Sequence, residues 1–436
     1  MAEKALSQAD LYNAWPALST DERVEGFELL QREDAEEFFL QLSSRDQAAI
    51  VLALPPGERK LWLRLLPPDE TVDLIQEAPA EERERLLQLV DDATRREVRG
   101  LLAYAEDAAG GIMDPRYARL RPDMSVDEAI SYLKRDARSR ASVYYAFVVD
   151  PESRLLGVVS FRDLFAVSGD KTVRDVMRTD VVTASEDMDQ EALSHLFARH
   201  NLMMIPVVDS QRRIKGVVTF DDIIDVVQEE ATEDIHKIGG TEALDAPYLQ
   251  IPLRRMVQKR AGWLTALFLG EMLTATAMGH FADEIARAVV LALFVPLIIS
   301  SGGNSGSQAT TLVIRAMALG EVRLRDWWRV IRREVATGLA LGAILAAIGV
   351  LRILLWQYMF DLYGEHYLLI GLTVGFSLVG VVLWGTISGS ILPFVLRALG
   401  LDPASASAPF VATLVDVTGL IIYFTVASFI LQGTLL

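Results

Sequence analysis

Apolar residues fall along this chain in two regimes that change near residue 260. Beyond it, five stretches (261–281, 286–318, 335–356, 367–396 and 409–431) are apolar enough to cross a bilayer, which takes about 20 such residues in a helix. The second and fourth are longer than that, which leaves room for tilt or a break. Before residue 260 the apolar positions are spaced for short amphipathic elements. In residues 1–110, Pro55-Pro56, Pro67-Pro68 and Pro79 recur about every twelve residues, each followed by acids (Glu58; Asp69 and Glu70; Glu81 and Glu82). Proline followed by first-turn carboxylates marks a helix start, so this region reads as an array of short helices with no catalytic constellation.

Residues 112–230 repeat internally. Ile112-Met113 and the stretch from Pro122 to Ala129 recur as Val176-Met177 and Glu186 to Ala192, offset by 64. Val148-Val149-Asp150 and Gly157 to Leu164 recur as Val207-Val208-Asp209 and Gly216 to Ile223, offset by 59, so the first copy is five residues longer in its middle. Each copy predicts helix, apolar strand, Asp-containing turn, apolar strand and helix. Ser160-x-x-Asp163 and Thr219-x-x-Asp222 predict capping boxes at the last helix of each copy. The repeat resembles a tandem pair of cystathionine-beta-synthase (CBS) domains, a regulatory module that often takes adenine nucleotides such as ATP. The resemblance makes Asp163 and Asp222 candidates for ribose contact, and helix capping accounts for them equally well.

The chain has 436 residues, 23% of them charged, no cysteine and a net charge of −17. Residues 1–250 sum to −20 and residues 251–436 to +3. From Ala336 to Leu436 only Arg352, Asp361, Glu365, Arg397, Asp402 and Asp416 are charged, so an acidic soluble half is fused to a membrane half. This balance argues against a nucleic-acid binder and is compatible with cation partners, and without cysteine there is no thiolate metal site. Arg254, Arg255, Lys259 and Arg260 precede the first span, and Arg323, Arg325, Arg329, Arg332 and Arg333 follow the second. The positive-inside rule puts both clusters in the cytoplasm and the C-terminus outside. The start MAEKALSQAD has no apolar signal core, so the soluble half is expected on the cytoplasmic face of the cell (inner) membrane.

Polar chemistry at membrane depth sharpens this picture. The second span holds Pro296, the run Ser300-Ser301-Gly302-Gly303-Asn304-Ser305-Gly306-Ser307-Gln308, and Thr310-Thr311. Either the backbone breaks here around a wet cavity, or Gly302 and Gly306 are a close-packing pair. Asp416 lies seven residues into the fifth span, and an intramembrane carboxylate is a functional candidate by default. Ala412, Thr413, Gly419 and Leu420 are expected to share its helical face. Glu271, midway along the first span, is either an ion site or a partner for another helix. Carboxylate, hydroxyl and amide oxygens suit magnesium or calcium, and a symmetric pair of Asp416 side chains around a hydrated ion suits magnesium. Ahead of the spans, Asp221, Asp222, Asp225, Glu229, Glu230, Glu233 and Asp234 crowd one segment. A divalent cation bridging them to another acidic surface would relieve their repulsion.

The whole chain resembles the MgtE magnesium channel and transporter family. The resemblance rests on Glu230-Ala231-Thr232-Glu233-Asp234-Ile235-His236-Lys237, on Gly302-Gly303-Asn304-x-Gly306-x-Gln308, and on Ala412-Thr413-Leu414-x-Asp416-Val417-Thr418-Gly419. It implies a multi-domain membrane protein: an all-α helical N-domain (1–110), an α/β CBS pair (111–174 and 175–234), a connecting helix (235–258) and a five-helix pore domain (259–436). It further implies a homodimer in the lipid bilayer with the pore between protomers. Asp416 and the Ala412 carbonyl would hold the transported magnesium, and Asn304, Gln308, Thr413 and Gly419 are candidates for the pore lining. Regulatory magnesium would bind at Asp69, Asp73, Glu191, Asp222, Asp225, Glu230, Glu233 and Asp234 and close the pore. Asn201 stands where some members carry an aspartate, and Ala408 where some carry an asparagine. The alternative is a secondary divalent-cation transporter coupled to sodium or protons. No phosphate-binding loop, histidine cluster or nucleophile motif suggests an enzyme.

Overall fold

In the computed structural model, which describes residues 7–136 and 144–435, the chain opens as short helices. They are α1 (Gln8–Ala14), α2 (Thr20–Glu28), α3 (Arg32–Leu40), α4 (Ser44–Ala53), α5 (Pro56–Leu63), α6 (Pro68–Glu77), α7 (Ala80–Leu89) and α8 (Asp92–Leu101). Pro55, Pro67 and Pro79 are the N-cap residues of α5, α6 and α7, so the proline spacing marks the starts it predicted. What the pattern did not show is how consecutive helices are tied. Arg59 of α5 donates to the Leu52 and Leu54 carbonyls at the end of α4, and Arg83 of α7 donates to the Gln76 and Ala78 carbonyls at the end of α6. Arg95 of α8 does the same for Leu87 and Val90 at the end of α7. Last-turn carbonyls lack helical partners, and one planar guanidinium satisfies two of them.

The repeat folds as two matching three-stranded sheets. The first copy runs β1 (Arg119–Leu120), α9 (Val126–Asp136), β2 (Tyr145–Val149), β3 (Leu155–Ser160), α10 (Phe161–Phe165) and α11 (Val173–Val176). The second runs β4 (Ala184–Ser185), α12 (Gln190–His200), β5 (Met204–Val208), β6 (Ile214–Thr219) and α13 (Phe220–Ile238). In each, the first two strands are parallel and the last two antiparallel. Both sequence offsets reappear in the register. Leu120 pairs with Val148 as Ala184 pairs with Val207, and Phe147 faces Val158 as Pro206 faces Val217. Even the irregularity recurs, between Val148 and Val149 and between Val207 and Val208. The extra five residues fall between α9 and β2, largely outside the described residues. Each copy lends the other a bridge, Asp114 to Val217 and Arg178 to Val158. The helical array shares its apolar core with the second copy through Ala109, Met113, Leu193, Phe197, Val207 and Ile223.

The two expected capping boxes differ. Ser160 accepts from the Asp163 amide at 3.1 Å, while the Asp163 carboxylate turns to Arg178 Nη2 at 3.3 Å. In the second copy Asp222 Oδ2 accepts from the Thr219 amide and hydroxyl at 3.0 and 2.6 Å. The expected connecting helix over 235–258 is also corrected. Helix α13 ends at Ile238, Gly240 takes φ +73°, and the chain stays irregular until α14 (Leu253–His280). Glycine ends the helix because it reaches this left-handed conformation without a Cβ clash, and Pro247 and Pro252 stop it from resuming at once.

The chain divides into two compact units, Met1–Glu230 and Ala231–Leu436. In the second, five helical segments are long and apolar enough to span a membrane: Leu253–His280, Val289–Ala318, Leu324–Phe360, Tyr367–Ala398 and Ala408–Leu431. They contain α14, α15 (Ala282–Arg287) as the link, α16 (Val289–Ala292), α17 (Val295–Ala318), α18 (Trp327–Phe360), α19 (Tyr367–Ala398) and α20 (Ala408–Leu431). The break expected at the glycine-rich run lies earlier, at Ala288 and between Leu293 and Phe294, and α17 passes through the glycines unbroken. Pro296 falls in the first turn of α17, where its missing N–H has no helical partner to lose. The glycines serve packing instead. A Cβ on Gly385 would lie 2.3 Å from the Gly302 carbonyl oxygen, and one on Gly389 would lie 2.2 Å from that of Gly306. Two glycine pairs, each spaced by four, therefore let α17 and α19 meet backbone to backbone. Thr310 Oγ1 donates to the Gly389 carbonyl at 2.8 Å, and the Ser305 and Thr386 hydroxyls meet at 2.7 Å.

Candidate ion-binding sites

Helix α20 buries Val411, Val415, Leu420, Tyr423 and Phe424 and leaves Ala412, Thr413 and Asp416 half exposed on the adjoining side. Gly303 of α17 faces this edge. The place of its missing Cβ is 3.4 Å from Ala412 Cα and 3.7 Å from Asp416 Oδ1, so bare backbone fronts the carboxylate. One step round α17, Ser300, Asn304, Gln308 and Thr311 form an exposed polar stripe, with Asn304 Nδ2 3.4 Å from Ser300 Oγ. Ser307 Oγ donates to the Ala408 carbonyl at 3.0 Å and ties α17 to the first turn of α20. Gly419 is a correction. It is buried, and a Cβ there would lie 2.9 Å from Val381 Cγ1, so it belongs to the packing against α19. Three residues past Asp416 the helix has turned about 300°, which carries Gly419 towards the buried side. Glu271 is exposed on α14, next to Gly270, whose Cβ position is 2.9 Å from Thr413 Cγ2. Polar groups on a membrane span are found facing protein or water rather than hydrocarbon, so this stripe needs water or another protein surface.

A second concentration of carboxylates lies within the first unit. Asp69 and Glu70 open α6, Asp73 lies one turn on, Asp114 precedes β1, and Asp222 begins α13. Burial, reinforced by Asp114, Asp222 and Glu70, pushes the Asp69 carboxyl well above the usual range. Glu70 is pushed up to about 7, by burial and then by Asp222, Asp221 and Asp114. Asp73, still partly open to solvent, also reaches about 7, by loss of surrounding water and by Asp222, Glu70, Glu229 and Glu106. Asp114 rises to about 6 mainly through burial, with the Arg116 amide and guanidinium holding it back. Asp222 is raised by burial and by Asp221 and Asp225, against the lowering effect of its Thr219 hydrogen bonds. Asp69 Oδ1 and Glu70 Oε2 are buried with no hydrogen-bond partner. Such orphaned oxygens fit a cation ligand set, although among the described residues no three acids or histidines already converge as one.

The repeat explains why the acids collect on one side only. Asp114 and Arg178 are equivalent by the first offset, and Asp222 and Asp163 by the second. Arg178 pairs with Asp163 at 3.3 Å, whereas the equivalent Asp114 and Asp222 repel. Of the regulatory candidates, Asp69, Asp73, Asp222 and Asp225 join this group. Glu191 is exposed and meets His195 at 3.8 Å, while its neighbour Gln190 donates to Glu230 at 2.6 Å. In the second unit Glu233 is engaged by Lys237, which also meets Asp402 at 2.6 Å and is pushed up to about 12 by these two carboxylates against the effect of burial. Asp234 is half buried on the same helix. Glu70 and Asp114 escaped the reading from sequence. The break in the repeat, Asp114 against Arg178, was the available signal.

These features define a multi-domain membrane protein with five apolar spans, a CBS pair and a helical N-terminal array. Residues 295–426 match the MgtE family of divalent cation transporters, residues 6–107 the MgtE intracellular N domain, and residues 109–170 and 173–229 the CBS domain. The magnesium transporter MgtE of Thermus thermophilus is 41% identical over 350 residues, covering 80% of this chain and 76% of that protein. Its Enterococcus faecalis namesake is 33% identical over 337 residues, covering 77% and 72%. Among solved structures, the cytosolic domain of the Mg2+ channel MgtE in complex with ATP is 37% identical, covers 50% of this chain and 90% of its own, and has a TM-score of 0.47. The chain belongs to the MgtE family of magnesium transporters, as its motifs implied.

Proposed function

We propose that the protein is a magnesium channel, a homodimer whose ion path runs between protomers along Asp416 and the Asn304–Gln308 stripe. The observation that carries this reading is the exposed polar stripe on α17 beside a half-exposed carboxylate that faces bare glycine backbone. In a second copy the same surface would supply the missing cover, and two Asp416 carboxylates would share one hydrated ion. Magnesium keeps much of its water shell, so outer-sphere contacts from Asn304, Gln308, Thr413 and the Ala412 carbonyl suit it. The basic flanks support a cytoplasmic N-terminal unit and a C-terminus on the outside.

Gating follows from linkage. Cytosolic magnesium drawn to Asp69, Glu70, Asp73, Asp114 and Asp222 would replace mutual repulsion with shared attraction. It would thereby favour the packed arrangement, which is the closed channel. Glu191, Asp225 and Glu230 of the first unit, and Glu233 and Asp234 of the second, are the further candidates for regulatory magnesium. Of the two ribose candidates, the Asp222 carboxylate is taken up by Thr219 whereas that of Asp163 meets Arg178 at the surface, which favours adenine nucleotide such as ATP on the first copy's side. The test is magnesium flux into liposomes containing the purified protein. Asp416→Ala should abolish flux while leaving the protein folded, and undiminished flux would overturn the pore assignment. Flux that required a proton or sodium gradient would favour a coupled transporter instead.

A further inference from the structure

Between the second and third spans the chain makes a tight turn. Helix α17 ends at Ala318, Gly320 takes φ +68°, and Leu324–Asp326 form one turn of 3-10 helix before α18 begins at Trp327. The turn and the first turns of α18 enclose an open concavity of about 460 Å³, lined by Arg323, Arg325, Arg329 and Arg333 together with Glu321 and Asp326. Asp326 is already committed. Its carboxylate accepts from the Arg323 amide at 3.2 Å and meets Arg329 Nη1 at 3.3 Å. No carboxylate lies within ion-pair distance of the Arg323, Arg325 or Arg333 guanidinium among the described residues. The concavity thus holds four guanidinium groups against two carboxylates, at the N-terminal end of a 34-residue helix, where the backbone also favours anions. Trp327 and Trp328 stand beside it, 50% and 61% exposed. Tryptophan in such a place marks the level of lipid headgroups.

We propose that this concavity is a binding site for the phosphate headgroup of an anionic phospholipid. The guanidinium forks match phosphate geometry, and the paired indoles set the pocket at headgroup depth, where a soluble phosphate would gain nothing from them. An anionic lipid held there would fasten the turn between the spans to the membrane surface.

The test is native mass spectrometry of the full-length protein in detergent, titrated with phosphatidylglycerol or phosphatidylcholine. Wild type should bind phosphatidylglycerol the more tightly. In Arg325→Gln/Arg333→Gln that affinity should fall about 30-fold, from two residues each giving the attraction typical of a basic side chain near an anionic surface. The charge-preserving Arg325→Lys/Arg333→Lys should fall between that variant and wild type, because it keeps the charge and loses the planar fork. If the double glutamine variant does not fold, Arg325→Gln alone should lose about fivefold by the same reasoning. Equal affinity for the two lipids in wild type, or an undiminished preference in the glutamine variants, would overturn the proposal. So would displacement of phosphatidylglycerol by equimolar glycerol phosphate, which would show a soluble-anion site.

Discussion

Replacing Glu70 by Gln should tighten the packing of α6 and blunt its response to magnesium. Glu70 lies in the first turn of α6 with one oxygen buried and unpartnered, and its carboxyl is raised from 4.5 to about 7. A carboxyl raised on folding binds more protons folded than unfolded, so stability is greatest at low pH and is lost as pH rises from about 4.5 to about 7. The separation corresponds to about 3 kcal/mol of destabilisation at pH 8 and about 1 kcal/mol at pH 5. The amide removes this charge while keeping the shape. Amide hydrogen exchange along α6 in the full-length protein, corrected for intrinsic rates at each pH, reads the effect. Without magnesium, protection at pH 8 should rise about 100-fold in the variant and much less at pH 5. Magnesium should protect wild type strongly at pH 8 and weakly at pH 5, where protons already neutralise the group. Unchanged protection in the variant, or equal magnesium protection at both pH values, would refute the reasoning.

Gly389→Ala should lower the thermal stability of the purified protein by about 1–3 kcal/mol, as overpacking does, because its Cβ would lie 2.2 Å from the Gly306 carbonyl oxygen. A melting temperature equal to that of wild type would show that α17 and α19 can part freely. Lys237→Met should leave Glu233 and Asp402 unneutralised. Added magnesium should then raise the melting temperature of the variant more than that of wild type, and an equal rise would show that the ammonium does not hold the place of a cation.

Helix starts and spans were legible because local chemistry sets them. Proline with first-turn acids opens α5, α6 and α7, and length with apolarity makes the five spans. The repeat implied that the two sheets are built alike, and its offsets reappear between their ladders, since an offset in sequence becomes an offset in hydrogen bonding. Features that depend on what stands opposite were not legible. The glycines of α17 could equally have been a break or a contact until Gly385 and Gly389 were found across from them. Asp416 and Gly419 seemed to share a face, but Val381 claims the glycine. A connecting helix over 235–258 was implied by the resemblance to the family, whereas α13 ends at Ile238. Two adjacent glycines, Gly239 and Gly240, stop it there.

The acidic surplus of the chain is therefore not uniform repulsion. A duplicated fold offers two equivalent places where the segment before one copy's first strand meets the last helix of the other. In one the sequence carries an arginine, and Arg178 neutralises Asp163 from within. In the other it carries Asp114 facing Asp222, and the N-terminal array adds Asp69, Glu70 and Asp73 to the same place. An internal cation makes the first place indifferent to the ions around it. In the second, the Arg116 guanidinium acts on Asp114 but is itself paired with Glu97, so the remaining carboxylates would pack better on taking up protons or a metal. On the gating we propose, sensitivity to divalent cation would follow from a difference of sign at one position in the repeat, with no ligand cage built in advance.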